Sequence, residues 1–168
     1  GKSTLIKALI DRAPETFITS EARVAYFSQD LDTLDPKKTV LENVSEDAVY
    51  PQHICRAVLS NLYMSLRDME KPVKVLSGGE KVRCMLSRMM LSGANVLMLD
   101  QPTNHLDLES IAALNKGLEM VKCNVLVASH DHQLIQTVCN RIFDFTADGK
   151  LVDRMMTYDE YLESQKPQ

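Results

Sequence analysis

Three runs of apolar residues along the chain predict the strands of a buried sheet. The runs cover residues 23–28, 95–99 and 124–129. The last two are continuous rather than alternating in polarity, as expected of parallel strands that are covered on both faces. Each run delivers a polar residue at its carboxyl end: Gln29, Asp100 and His130 respectively. Open α/β sheets place their ligand sites at this end of the strands, so all three are candidate site residues.

Helical patterns separate the predicted strands. They cover residues 3–10, 80–90 and 108–121. Residues 31–75 differ in character, with prolines and a helical stretch at 54–66, and are interpreted as a mostly helical insertion. Asp148-Gly149 lies between two short apolar runs and predicts a hairpin turn, so residues 140–168 are expected to form a hairpin and a tail. The pattern predicts an α/β fold with a mostly parallel sheet flanked by helices.

Composition narrows the classes of function that remain open. The 168 residues suit one domain with a sizeable core, and 45% of them are hydrophobic. A net charge of −4 and a pI near 5.6 argue against binding nucleic acid by charge alone. The four cysteines form no C-x-x-C pair, which disfavours zinc and redox sites and favours reduced thiols. Because no apolar run approaches about 18 residues, we expect a cytoplasmic protein without a membrane span.

The first four residues carry the first chemical motif. Gly1, Lys2, Ser3 and Thr4 match the end of the phosphate-binding pattern G-x-x-x-x-G-K-[ST]. In such a loop the glycine lets backbone amides turn towards phosphate, the lysine places a charge near the β and γ phosphates, and the serine hydroxyl ligates Mg²⁺. The alternative is an ordinary helix start. Since natural chains do not begin with glycine, we interpret the start as a truncation within the loop.

Two further motifs favour the phosphate loop. Asp100 ends a buried apolar strand, where a carboxylate is costly unless it is paired or near a cation, although a strand-end aspartate can also cap a turn. Leu76 to Glu80 reads Leu-Ser-Gly-Gly-Glu and begins a predicted helix, 23 residues before Asp100 counted from Ser77. Two glycines at a helix N-terminus present amide donors at its positive end. A plain capped helix is the alternative for this segment alone.

In combination, these motifs resemble the ATP-binding-cassette (ABC) family of P-loop ATPases, whose signature motif is Leu-Ser-Gly-Gly. The resemblance implies ATP and Mg²⁺ as cofactors, with Ser3, Gln29 and Asp100 towards the metal. It also implies that cassettes act in pairs, so that Ser77, Gly78, Gly79 and Glu80 of one domain close on the γ-phosphate held by the other. His130 matches the family's switch histidine, and Asp107 matches the aspartate that couples the two sites. By this resemblance, we expect that the family's strands before the phosphate loop are missing from this sequence.

The segment after Asp100 indicates a branch of this family. Asn104-His105 stands where membrane transporters usually have Ser-Ala, and it is similar to the ABC-F branch, as are Lys71-Pro72 and residues 158–163. ABC-F proteins carry two cassettes on one polypeptide and no membrane domain. The resemblance implies a second cassette and the ribosome, near the tRNA exit site, as partners, with effects on translation and, in some members, antibiotic protection.

Gln101 stands where the family has a catalytic glutamate. An amide is nearly the same size as a carboxylate but cannot accept a proton at neutral pH, so we expect severely slowed hydrolysis with ATP binding retained. Gln101 is either natural or a deliberate replacement that traps the ATP-bound form. Because the other catalytic positions are intact, the deliberate replacement is favoured. With an incomplete phosphate loop, this chain alone is expected to bind ATP poorly and to show no detectable hydrolysis.

Three other functions remain open. A nucleotide-binding subunit of a membrane transporter is disfavoured by Asn104-His105. A chromosome-maintenance or DNA-repair ATPase would separate the phosphate loop from the signature by long coiled coils, whereas here Lys2 and Ser77 are 75 residues apart without heptads. A nucleotide-sensing scaffold without catalysis is kept open by Gln101.

Overall fold

The computed structural model describes residues 1–27, 33–104 and 106–165. The helices in this part of the chain are α1 (Lys2–Ile10), α2 (Val40–Glu46), α3 (Gln52–Asn61), α4 (Leu66–Met69), α5 (Gly78–Leu91), α6 (Leu108–Met120), α7 (His132–Val138) and α8 (Tyr158–Ser164). The strands are β1 (Val24–Phe27), β2 (Val96–Asp100), β3 (Asn124–Ala128), β4 (Ile142–Phe145) and β5 (Leu151–Arg154). A short 3-10 turn at Val73–Val75 leads into α5.

The central sheet is parallel, as the apolar runs predict. Its strand order is β1-β2-β3, with Phe27 beside Leu99 and Asp100 beside Ala128, so the three strands end at one edge. In β2, Leu97 and Leu99 point to the larger core, and Met98 packs with Ile6 and Ala128 on the opposite face. Burial on both faces explains why the β2 sequence is apolar at consecutive positions.

Helices cover the two faces of this sheet unequally. The larger core joins β2 to helices α2, α3, α5 and α6, and the smaller one joins it to α1. Helix α5 contributes most to the larger core, and it is buried on nearly all sides in its middle, where residues 82–87 are buried without a break. The predicted helices at 3–10, 80–90 and 108–121 are therefore confirmed with small shifts of their ends.

One predicted helix is wrong in extent. The stretch 54–66 was expected to be continuous, but α3 ends at Asn61 and α4 begins at Leu66. Tyr63 has a φ of 60°, a left-handed conformation that an α-helix cannot contain. Ser65 then caps the new helix by accepting a hydrogen bond from the Asp68 amide at 3.2 Å. The break lets the side chains of Leu62 and Met64 both pack in the core. Local sequence periodicity does not predict such a break.

The predicted hairpin is present. Strands β4 and β5 pair antiparallel, and Gly149 supplies the positive φ of 81° that their turn requires. A cleft of about 960 Å³ separates this hairpin from β3 and α1. In the described part of the chain, no helix has the length and apolar character needed to cross a bilayer. The division of the chain at 31–75 and 140–168 remains a prediction.

Candidate functional site

Ser3 and Asp100 form the centre of the candidate site. The Ser3 hydroxyl donates a hydrogen bond to Asp100 Oδ1 at 2.8 Å, across 97 residues of sequence. Ser3 lies in the first turn of α1, and Asp100 is the last residue of β2, only 5% exposed. The parallel sheet brings the two together because β2 ends beneath the amino end of α1. The hydroxyl and the carboxylate are thus held side by side at the carboxyl edge of the sheet.

Lys2 and His130 lie on the walls of the neighbouring cleft. Both line the 960 Å³ cleft between β3 and the hairpin, Lys2 at the start of α1 and His130 just after β3. His130 is exposed, as is Thr4. Amides in the first turn of α1 have no acceptor within the helix, so this end can bind an anion. The arrangement provides a cation, free amide donors and an imidazole around an open space.

Gln101 begins a tight turn directly after Asp100. Its φ is 50°, a left-handed conformation that costs a non-glycine residue about 1–2 kcal/mol. Two hydrogen bonds hold it there: the Gln101 amide donates to the Ala128 carbonyl at 2.8 Å, and the Gln101 carbonyl accepts from the Asn104 amide at 3.2 Å. Strain that the surrounding structure maintains next to Asp100 is characteristic of functional positions.

The donor set around Asp100 fits a magnesium ion that is shared with a phosphate. A hydroxyl and a carboxylate are hard oxygen ligands, and Mg²⁺ binds through one or two such groups together with waters and phosphate oxygens. Within the described residues, no group of three His, Cys, Asp or Glu side chains could hold a metal ion. A magnesium ion held at Ser3 and Asp100 would complete its coordination with water and with phosphate oxygens of a bound nucleotide.

The signature segment begins α5 with a reciprocal cap. Ser77 Oγ accepts a hydrogen bond from the Glu80 amide at 3.2 Å, and Glu80 Oε2 accepts from the Ser77 amide at 2.7 Å. The plain capped-helix interpretation of this sequence is thus geometrically correct. Ser77 and Gly78 are nevertheless exposed, and no atom would lie within 4 Å of a Cβ on Gly78. The positive end of a 14-residue helix is therefore open to an anionic partner.

Gly79 instead faces the start of α6 at very short range. A Cβ on Gly79 would lie 1.8 Å from Ser110 Oγ and 3.7 Å from Asp107 Oδ1. Asp107 caps α6 by accepting a hydrogen bond from the Ser110 amide at 2.8 Å. Hydrogen bonding from Ser110, assisted by the charge of Arg83, lowers the pKa of Asp107 and keeps it ionised. The structure therefore unites the signature segment and Asp107, two features that the sequence places 28 residues apart.

Arg83 is a residue of this region that the sequence analysis missed. Its side chain is 10% exposed, and its Nη1 lies 3.5 Å from Glu109 Oε1, whose side chain is 73% exposed. Buried arginines are rare, because the guanidinium keeps its charge in proteins. The spacing from Gly79 to Arg83 places both on one face of α5, and that spacing is the signal that could have found it.

Two predicted positions lie outside the described residues. Gln29, expected near the metal and the attacking water, falls in the gap after β1, and His105 falls in the gap before Asp107. Their roles remain predictions.

Comparison with known families and proteins identifies the family that the chain resembles. Residues 1–104 match the family model described as ABC transporter. The uncharacterized ABC transporter ATP-binding protein YkpA of Bacillus subtilis (strain 168) is 58% identical over 109 residues, which are 65% of this chain and 20% of that protein. The probable ATP-binding protein YbiT of Escherichia coli O157:H7 is 36% identical over 98% of this chain and 32% of its own length. This chain thus spans a third or less of both relatives.

The fold is also found in solved structures. The complex of the archaeal ribosomal stalk protein aP1 and the archaeal ribosome recycling factor aABCE1 contains a chain that matches with a TM-score of 0.72 and 25% sequence identity. The match covers 98% of this chain and 34% of that chain. Both the central sheet and the helical segment around α2 to α4 therefore have a counterpart of known structure.

Proposed function

The chain belongs to the ATP-binding-cassette family and is of the ABC-F type, and from this premise we propose that it binds Mg-ATP and pairs with a second cassette to gate ribosome binding and translation. The observation that carries the nucleotide site is the 2.8 Å hydrogen bond from Ser3 to Asp100. It joins the end of the phosphate-loop pattern to the strand-end carboxylate, which are the two groups that a Mg-nucleotide site needs at one place.

Each group has a distinct task in this proposal. Lys2 and the amides at the start of α1 bind the β and γ phosphates, while Ser3 and Asp100 hold Mg²⁺. Magnesium would neutralise charge on the phosphates when bound. His130 and Gln29 contact the γ-phosphate and the attacking water. Ser77, Gly78 and Gly79, with Glu80 and Asp107 behind them, face the nucleotide of the second cassette, for which the open end of α5 is suited.

Gln101 makes this copy a binder of ATP rather than an efficient hydrolase in our proposal. Its backbone position directly after Asp100 is the one from which a side chain can reach the attacking water. Its amide can hold a water molecule but cannot accept the proton that the water must lose. The closed, ATP-bound form is then long-lived, and this is the form that we propose binds the partner.

Nucleotide titration tests the site directly. In the full-length protein, Lys2→Ala and Asp100→Asn should each weaken Mg-ATP binding at least tenfold, measured with a fluorescent ATP analogue. Lys37→Ala, which replaces a lysine outside the site, is the control and should leave the affinity unchanged. Equal affinities in all four proteins would contradict the assignment of the phosphate and metal groups.

The ribosome is proposed as the partner, and the cytoplasm as the compartment. Support comes from the ABC-F relatives and from the matching structure of the archaeal ribosome recycling factor aABCE1 in complex with a ribosomal stalk protein. The net charge of −4 indicates that rRNA or tRNA contacts near the exit site would come mainly from other parts of the protein. Co-sedimentation with ribosomes in ATP but not in ADP is the expected result. Equal sedimentation in both nucleotides would exclude ATP-gated binding.

A nucleotide-binding subunit of a membrane transporter is the second candidate. It is favoured by the description of the matching family model and by the name of YkpA. In that case the protein should purify with a membrane protein and not with ribosomes. Fractionation of cell extracts into membrane and ribosome pellets distinguishes the two candidates.

A further inference from the structure

A line of contacts joins α5 to α6 and starts at the signature segment. It begins at Gly79, whose missing side chain leaves room for Ser110, and it ends at Gly117, where a Cβ would lie 2.6 Å from Leu86 Cδ2. Arg83 lies between these two points on the same face of α5. We call this α5–α6 contact the seam. Its polar end carries the signature segment on one side and Asp107 on the other.

Arg83 is a buried cation at this end of the seam, with its side chain only 10% exposed. Its Nη1 is paired at 3.5 Å with Glu109, and its charge also acts on Asp107. Its Nε and Nη1 atoms are buried without a hydrogen-bond acceptor. A charge buried with incomplete hydrogen bonding is costly, so a role in fold stability alone does not explain it. Both carboxylates that interact with the guanidinium, Glu109 as an ion pair and Asp107 through its charge, nevertheless lie at the start of α6.

The loop that ends at these carboxylates begins at the candidate metal site. It runs from Asp100 and Gln101 to Asp107, where α6 begins. Any shift of α6 relative to α5 therefore moves the residues after Asp100 relative to Ser77–Gly79. Because the guanidinium keeps its charge when buried, it can attract two acidic residues at once, whereas an apolar side chain of similar length cannot.

We propose that Arg83 is a positioning residue, which holds Asp107 and the start of α6 against the signature segment so that both move as one unit when the cassette pairs. The expected effect on ATP-driven closure rests on the proposed function. The role of Arg83 in holding the start of α6 against the signature segment does not. Arg83 contacts no nucleotide in this proposal. It acts through Asp107 and through the segment that begins at Ser77.

Hydrogen exchange in the absence of nucleotide tests whether Arg83 holds the start of α6 in place. Arg83→Met in the full-length protein should speed amide exchange across residues 106–112 at least tenfold. The matched control is Arg88→Met: Arg88 is also on α5, but it pairs with Asp47 and the Thr33 carbonyl away from the seam. Arg83→Lys, which keeps the charge, should restore most of the protection. Unchanged exchange in Arg83→Met, or equal exchange in the Lys and Met variants, would overturn the proposal.

Experiments with ATP then test whether Arg83 affects closure of the two cassettes. ATP affinity of Arg83→Met should stay within about threefold of the parent, while ATP-driven closure, followed by energy transfer between labels on the two cassettes, should weaken at least tenfold. Equal losses in Arg83→Met and Arg88→Met would show that Arg83 is only structural. If the parent itself does not close with ATP, the proposed function fails, and the exchange experiment still decides the role of Arg83.

Discussion

At the scale of single residues, the chemistry depends on a few side chains at the carboxyl edge of the sheet. Ser3 and Asp100 are joined by a hydrogen bond, and Gln101 follows them in a strained turn. The sequence was sufficient to name all three, because each belongs to a motif with a fixed spacing. It could not show that Gln101 adopts a positive φ, since this conformation depends on the Ala128 carbonyl of a neighbouring strand.

Replacing Gln101 by glutamate is expected to restore hydrolysis. A carboxylate at this position can accept the proton of the attacking water, and general-base catalysis contributes about 10²–10⁴-fold to the rate. Phosphate release by the Gln101→Glu full-length protein measures the effect. The double variant with Ser3→Ala is the control, and it should return the rate to the level of the parent. A rate unchanged by Gln101→Glu would mean that this site does not hydrolyse ATP.

At the scale of secondary-structure elements, caps and close contacts decide where the helices lie. Four helices in the described chain, α2, α4, α5 and α8, begin with a Ser or Thr whose side chain and an acidic residue three positions later form a reciprocal cap. Such starts are visible in the sequence. Helix ends are less visible: α3 stops at Asn61 because of the turn at Tyr63, which the pattern at 54–66 does not show.

The two glycines of the signature segment should respond differently to alanine. Gly79→Ala places a Cβ 1.8 Å from Ser110 Oγ, so the seam must open, at a cost of about 1–3 kcal/mol in the free energy of unfolding. Gly78→Ala meets nothing within 4 Å and is expected to change that energy by no more than about 0.5–1 kcal/mol, in the stabilising direction. Urea denaturation of both variants checks this. Equal destabilisation would contradict the close approach of α5 and α6.

Helix α4 should lose stability in acid because of Asp68. The hydrogen bonds from Lys71 and Ser65 lower its pKa from 3.8 to about 2. Since the folded pKa is below the unfolded one, the contribution, about 1–2 kcal/mol, is present above pH 4 and is lost as the pH falls from 4 to 2. Asp68→Asn should therefore flatten the stability profile between pH 4 and 2. An unchanged slope in chemical denaturation would refute this contribution.

At the scale of the whole molecule, the central sheet connects the residues that we propose bind nucleotide to both hydrophobic cores. β2 is buried on both faces and carries Asp100 at its end, so the position of this carboxylate depends on the packing of α1 on one side and α5 on the other. The parallel arrangement was predictable from the continuous apolar runs. The sequence predicts that the segment between β1 and the signature segment is mostly helical, but it does not predict the break between α3 and α4.

Nucleotide should stabilise the whole fold by mass action. Because the site draws on α1 and β2 together, Mg-ATP at 100 times its Kd should add about 2.7 kcal/mol to the free energy of unfolding of the full-length protein. Thermal melts with and without Mg-ATP measure the shift. Asp100→Asn should remove most of it, while magnesium alone should have little effect on the parent. A shift that persists in Asp100→Asn would place the nucleotide elsewhere.

The sequence by itself determined the motifs, the buried strands and the polar residue at the end of each strand, because these depend on local spacing and on alternation between apolar and polar positions. Only the tertiary structure decided which distant residues meet. Ser3 reaches Asp100 across 97 positions, and Gly79 and Arg83 meet the start of α6 through the seam. Such contacts follow from how helices pack on a sheet, which no local pattern encodes. They bring the phosphate-loop and metal groups together at one site, and they place the signature segment beside the start of α6.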